Sequence, residues 1–152
     1  MERAMEEVIA KAFIYPNKRK RFLFDRFRPR RDDFGGMSTD RFDALCRLPV
    51  IVDASLKMMK SNHFPPPAEL VRILRNHGGG DTCLVLSEYG EFDGVFAPLA
   101  AAVEALNVEG FPSLIVALPS GFAHLKEESM ASFQPNCFVK PRIRLDGARW
   151  DD

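Results

Sequence analysis

The stretch TCLVLSEYGEFDGVFAPLAAAVEALNVEGFPSLIVALPSGFAHLK, residues 82–126, carries the strongest fold signal in the chain. Its first five residues, Thr82, Cys83, Leu84, Val85 and Leu86, form a β-branched and apolar run that predicts a buried strand. A polar loop follows, with Asp93-Gly94 as its turn signal. Pro98 then opens a short helix over 99–106, where Ala100, Ala101 and Ala102 permit close packing against a sheet. Residues 113–118 read as the next strand, and Pro119-Ser120-Gly121 as the turn of a hairpin returning through 122–126. Strand, helix and strand within about 30 residues predict two parallel strands joined by a right-handed βαβ crossover.

Downstream, residues 137–145 alternate Phe138, Lys140, Arg142 and Arg144 against Val139, Ile143 and Leu145. That is the pattern of a half-buried strand, and Pro141 assigns it to a sheet edge, because proline cannot donate to a ladder. Upstream, Ala4, Met5, Val8, Ile9, Ala12 and Phe13 recur at helical spacing, so residues 2–13 are expected to form an amphipathic helix ended by Pro16. Residues 17–27 combine helical and strand periodicity, and the helical reading is preferred, with Pro29 as its stop. Ser38 is a plausible N-cap for a short helix to about Arg47, and Ile51, Ala54, Leu56, Met58 and Met59 fit a buried helix. A further helix, with Leu70, Val71, Ile73 and Leu74 as its apolar stripe, starts beside the triplet Pro65, Pro66 and Pro67 and stops at Gly78.

The expected architecture is an α/β fold with a mixed sheet of about four strands, a βαβ crossover and a C-terminal hairpin. Its N-terminal half, residues 1–77, is mainly helical and basic, and the sheet occupies 78–145. A length of 152 residues suits one domain with one core. The three cysteines, Cys46, Cys83 and Cys137, are odd in number and far apart, which argues against a disulfide framework or a Cys-x-x-Cys site and for a reducing compartment. Glu2, Glu6 and Glu7 exclude a signal or transit peptide at the start, and no apolar stretch approaches the roughly 20 residues of a membrane span. A cytoplasmic location is expected.

Basic and acidic residues number 21 each, so net charge points to no partner, but their distribution does. Lys18, Arg19, Lys20, Arg21, Arg26, Arg28, Arg30 and Arg31 crowd one tract opposed only by Asp25. Interleaved with Phe22, Phe24 and Phe27, these cations suit phosphate contacts plus base stacking. They equally suit a surface helix with aromatics inward and arginines outward. Glu88, Glu91 and Asp93 follow the first strand, at the end where α/β sheets commonly bind ligands, and could hold Mg²⁺ or act as acid and base. The alternative is a solvated turn.

Other chemistry finds less support. Gly78-Gly79-Gly80 lies between a helix and a strand, the reverse of a phosphate loop, and no Lys-Ser/Thr follows it. Ser120 and His124 would be nucleophile and base of a hydrolase only if a glycine-flanked elbow surrounded the serine, and none does. His63 and His77 show no metal-ligand spacing, and Cys83 sits in an apolar strand. No cofactor motif is present.

Cys83-Leu-Val-Leu-Ser87-Glu88, Phe92-Asp93-Gly94, Pro98-Leu99, Glu104-Ala105-Leu106 and Leu118-Pro119-Ser120-Gly121-Phe122-Ala123 together resemble a family of small uncharacterised bacterial proteins. The similarity extends to Asn17-Lys18-Arg19-Lys20-Arg21 and Pro29-Arg30-Arg31, and departs from the pattern at Ala123-His124-Leu125-Lys126. The resemblance implies a bacterial, cytoplasmic α/β protein and supplies no activity. On these grounds the chain is expected to be a non-catalytic interaction or regulatory domain with a protein partner or a second copy of itself. Nucleic-acid or other polyanion binding through the tract 18–31 is the first alternative, and a metal-assisted enzyme using Glu88, Glu91 and Asp93 the second.

Overall fold

A computed structural model of the chain describes residues 3–27, 39–87, 92–108, 110, 112–147 and 150. Among these residues the N-terminal half is helical, with α1 over Arg3–Phe13, α2 over Arg19–Phe27 and α3 over Thr39–Ile51. After β1 (Lys57–Ser61) and α4 (Pro67–Asn76) come β2 (Gly79–Leu86), β3 (Val95–Pro98), α5 (Leu99–Leu106), β4 (Ser113–Pro119), β5 (Ala123–Lys126) and β6 (Asn136–Val139). The strands form one six-stranded sheet in the order β1-β6-β5-β4-β2-β3, and every neighbouring pair is antiparallel.

The sheet therefore differs from the expected mixed sheet of about four strands in two places. The first is β3. The apolar run before α5 begins with a four-residue strand: Gly94, at φ +72°, donates its N–H to the Val85 carbonyl at 2.7 Å and folds Val95–Pro98 back onto β2. Reversal before the helix makes β2 and β4 antiparallel neighbours, and α5 carries the chain from one side of β2 to the other. The expected parallel pair is thus replaced by β3 and β4 flanking β2.

The second is β1. Residues 57–61, expected to continue a buried helix, pair with β6 instead, with an irregular register between Met58 and Ser61 where Met59 takes φ +52°. Asp53 ends the preceding helical run: its carboxylate accepts the Ser55 N–H at 2.9 Å and starts a short 3₁₀ turn, after which the chain is extended. Because β1 takes the edge, β6 lies inside the sheet, and the expected edge strand over 137–145 ends at Val139, before Pro141.

Helices cover both faces. Leu84, Leu86, Leu114, Val116 and Leu125 point toward α1–α3, where Ile9, Phe13, Phe22, Leu45 and Leu48 meet them. Cys83, Val85, Ile115, Ala117 and Phe138 point toward α4 and α5, against Leu70, Leu74, Leu99 and Val103. Period-two alternation with both faces covered explains why β2 and β4 read as unbroken apolar runs. The α4 stop also behaves as expected, with Gly78 at φ +90°, but Gly79 and Gly80 belong to β2 rather than to a turn.

Gly78 has a second constraint. A Cβ there would lie 2.7 Å from the Ser120 Cβ, and Ser120 donates its hydroxyl to the His77 carbonyl at 2.8 Å. Gly78→Ala meets both the steric block and a left-handed backbone, and is expected to lower the unfolding free energy by about 1–3 kcal/mol in urea titration. A change within 0.5 kcal/mol of zero, on the order expected at an unconstrained surface site, would contradict this reading.

Candidate functional site

The tract 18–31 divides as it folds. Lys18, Lys20 and Arg21 are exposed and Arg19 half-buried at the head of α2, whereas Arg26, two turns on, is only 1% exposed. Its neighbours explain how a guanidinium is tolerated there. Nε donates to Glu6 Oε2 at 3.0 Å, and Nη2 donates to Glu6 Oε1 at 2.6 Å and to Asp93 Oδ1 at 2.9 Å. Burial works against the charge on Arg26, but the bonds and charges of Glu6 and Asp93 outweigh it and hold its pKa above the ordinary guanidinium value.

Asp93 also accepts the Ser87 N–H at 3.2 Å, so this carboxylate links α2 to the β2–β3 connection. The sequence placed Asp93 in a ligand-binding acidic loop or a solvated turn; its described contacts are a buried cation and a backbone amide. Glu88 and Glu91 lie outside the described residues, as do Arg28, Arg30, Arg31 and the N-cap candidate Ser38. Among the described residues no group of three or more His, Cys, Asp or Glu is arranged to hold a metal ion.

Asp25 answers two further cations, receiving Arg21 Nε at 3.0 Å along α2 and Arg47 from α3. Among the described residues no carboxylate pairs with Lys11, Lys18, Arg19 or Lys20. Arg19 spends two donors on the carbonyls of Ile14 and Lys11, each at 3.2 Å, which turns it toward α1. Beside it, α1 and residues 142–145 enclose a groove of about 400 Å³ with Val8, Ala12, Ile143 and Leu145 as its apolar lining and Lys11, Arg19, Arg142 and Arg144 as its cations.

The polar groups that suggested catalysis have structural partners. Ser120 is fully buried, donates to the His77 carbonyl and accepts the Phe122 N–H at 3.2 Å. His124 bonds Asn136 Oδ1 through Nε2 at 3.0 Å and packs on Phe138, so serine and histidine do not form a dyad. Asn136 in turn donates to the His63 and Gln134 carbonyls at 2.7 and 2.9 Å. Lys126, also buried, caps α5 by donating to the carbonyls of Leu106 and Val108 at 2.9 and 2.7 Å. Burial pushes the Cys83 thiol up to about 12, although a bond to the Ala97 carbonyl opposes the shift, so no thiolate forms near neutrality.

Sequence reasoning passed over Glu6, whose position was readable. Residues 6, 9, 10 and 13 occupy one helical stripe, so a carboxylate at 6 belongs on the same face as the buried Ile9, Ala10 and Phe13. Lys126 and Asn136 carried no comparable local signal, since Lys126 reaches a carbonyl 20 residues away and Asn136 one 73 residues away. The groove joins α1 to residues more than 100 positions downstream and was equally invisible. Comparison with family models, with curated proteins and with solved structures returns no match. Among the described residues no helix is long and apolar enough to cross a membrane.

His124 has a measurable consequence. Burial lowers its pKa from 6.5 to about 4, with the Asn136 bond opposing the shift and the Lys126 charge reinforcing it. Between these values the unfolded chain binds the proton and the folded chain does not. The stability contributed by the neutral ring is therefore complete above pH 6.5, declines as pH falls through the window and levels off below about 4. Urea titrations from pH 7.5 to pH 4 should show roughly 3 kcal/mol lost in this way. His124→Gln should flatten that part of the profile, and an equal slope in the variant would refute the assignment.

Proposed function

We propose that this chain is a non-catalytic interaction domain that docks an acidic partner on the cationic face formed by α1, the head of α2 and residues 142–145. The observation that carries the reading is the division of the basic tract. Arg26 is consumed inside the molecule by Glu6 and Asp93, while Lys18, Arg19 and Lys20 stand at the surface without a carboxylate partner among the described residues. Such a surplus sits at the α2 N-terminus, where the helix dipole disfavours positive charge, so folding alone gains little from it. An incoming anion relieves both the mutual repulsion of the cations and the dipole.

The catalytic alternatives have less to build on. Asp93 through Oδ1, Ser120 through its hydroxyl, His124 through Nε2 and Cys83 through its thiol each make a bond within the fold. A nucleic-acid partner is favoured by one observation, the 54% exposure of the aromatic Phe24 on the same helix as Lys20 and Arg21.

Binding of labelled poly-glutamate and of single-stranded DNA, followed by fluorescence anisotropy across a salt series, tests the reading. The account expects poly-glutamate to bind at low ionic strength, to weaken steadily with salt, and to lose about tenfold in affinity in the double variant Lys18→Glu, Lys20→Glu. Tighter binding of DNA that depends on Phe24 would favour the nucleic-acid reading. Absence of binding to either polymer at low salt would overturn the proposal.

A further inference from the structure

The groove between α1 and residues 142–145 combines two properties that rarely meet on a surface held only by solvent. Its apolar lining is wet: Val8 is 40% and Ile143 72% exposed, one on each wall. Its cations are unequally answered. Arg142 is held by Asp53 at 2.7 Å and Arg144 by Asp146 at 2.8 Å, which fixes both guanidinium groups in place. Lys11 and Arg19, on the opposite wall, have no carboxylate partner among the described residues. The groove thus presents aliphatic surface along its length and unspent positive charge along one side.

From this we infer that the groove receives an acidic amphipathic segment of a partner protein, its apolar side chains seated between Val8 and Ile143 and its carboxylates facing Lys11 and Arg19. The inference rests on the cationic-face reading above and specifies the partner that face takes. Charge complementarity selects an anion, and the lining selects its kind. Among the described residues no aromatic ring lines the groove, which offers bases no stacking platform there, and an aliphatic wall gains nothing from a sugar-phosphate backbone. A peptide helix meets both requirements, since apolar anchors on one face and acids one turn away match an apolar groove with a charged side.

The probe is a labelled peptide of about 16 residues with Leu on one helical face and Glu on the other, compared with poly-glutamate of matched charge, which lacks the apolar face. Binding to the full chain is read by fluorescence anisotropy. The amphipathic peptide is expected to bind at least tenfold more tightly than poly-glutamate, and Ile143→Ser, which removes apolar surface without altering the charge of the face, is expected to reduce that advantage to about twofold or less. Ile143 is exposed enough that its replacement leaves both core layers untouched, and Val8→Ser should reproduce its effect from the other wall. Equal affinity for peptide and poly-glutamate, or indifference of the peptide to both substitutions, overturns the groove inference while the cationic face stands. Failure of both probes at low salt overturns the two together. A single-stranded DNA that displaces the peptide and is itself weakened by Ile143→Ser assigns the groove to nucleic acid and likewise overturns the inference.

Discussion

The guanidinium of Arg26 is the point on which the arrangement of this molecule turns. It is a fixed charge with almost no exposure, set between Glu6 of α1 and Asp93 of the β2–β3 connection. Removing such a group from water costs several kcal/mol, and only close, well-oriented partners offset that cost. The three residues come from three different elements. Their meeting therefore constrains how α1 crosses α2 and where the turn before β3 lies against the helices, which apolar packing alone would leave freer. Breaking one arm leaves an unbalanced charge in the core, so arrangements that separate the three residues are penalised.

That constraint also decides the meaning of the basic tract. An arginine-rich, phenylalanine-studded segment invites the conclusion that all its cations face outward. Instead Phe22 and Arg26, one helical turn apart, both point into the molecule, and Asp25 gathers Arg21 and Arg47 at the α2–α3 contact. Among the described residues of the tract, those left without a carboxylate are a smaller set, Lys18, Arg19 and Lys20, supported by Lys11, Arg142 and Arg144 from other parts of the chain. The docking surface proposed above, assembled from three segments, would be narrower and more specific than a linear basic patch, because its geometry exists only in the folded chain.

Much of the architecture was legible because its signals are local. Apolar periodicity located α1 and α4, Pro98 and the alanine run after it located α5, the preferred helical reading of 17–27 matches α2, and glycine and proline chemistry located the α4 stop at Gly78 and the return from β4 to β5. The misreadings share a physical cause. β3 has four residues and merges into the apolar start of α5, so no period can be measured within it. β1 carries an irregular register at Met59, which erases strict alternation, and Met58 and Met59 suit a helix as well as a strand. Sheet direction then followed from the missed β3, because one unrecognised reversal changes the sense of every later strand relative to β2. The candidate site was less legible than the fold: Glu6 was readable from its helical stripe, whereas the groove pairs α1 with a segment at the far end of the chain.

The most direct measurement is a double-mutant cycle between Glu6→Gln and Asp93→Asn, with unfolding free energies from urea titration at pH 7. Each single variant should lose about 3–5 kcal/mol, the cost of leaving a buried charge short of a partner. Because both carboxylates act on one guanidinium, the two losses should fail to add by at least about 1 kcal/mol. Losses that sum within about 0.5 kcal/mol would show Glu6 and Asp93 to be energetically independent and would contradict the claim that Arg26 joins the helical layer to the sheet.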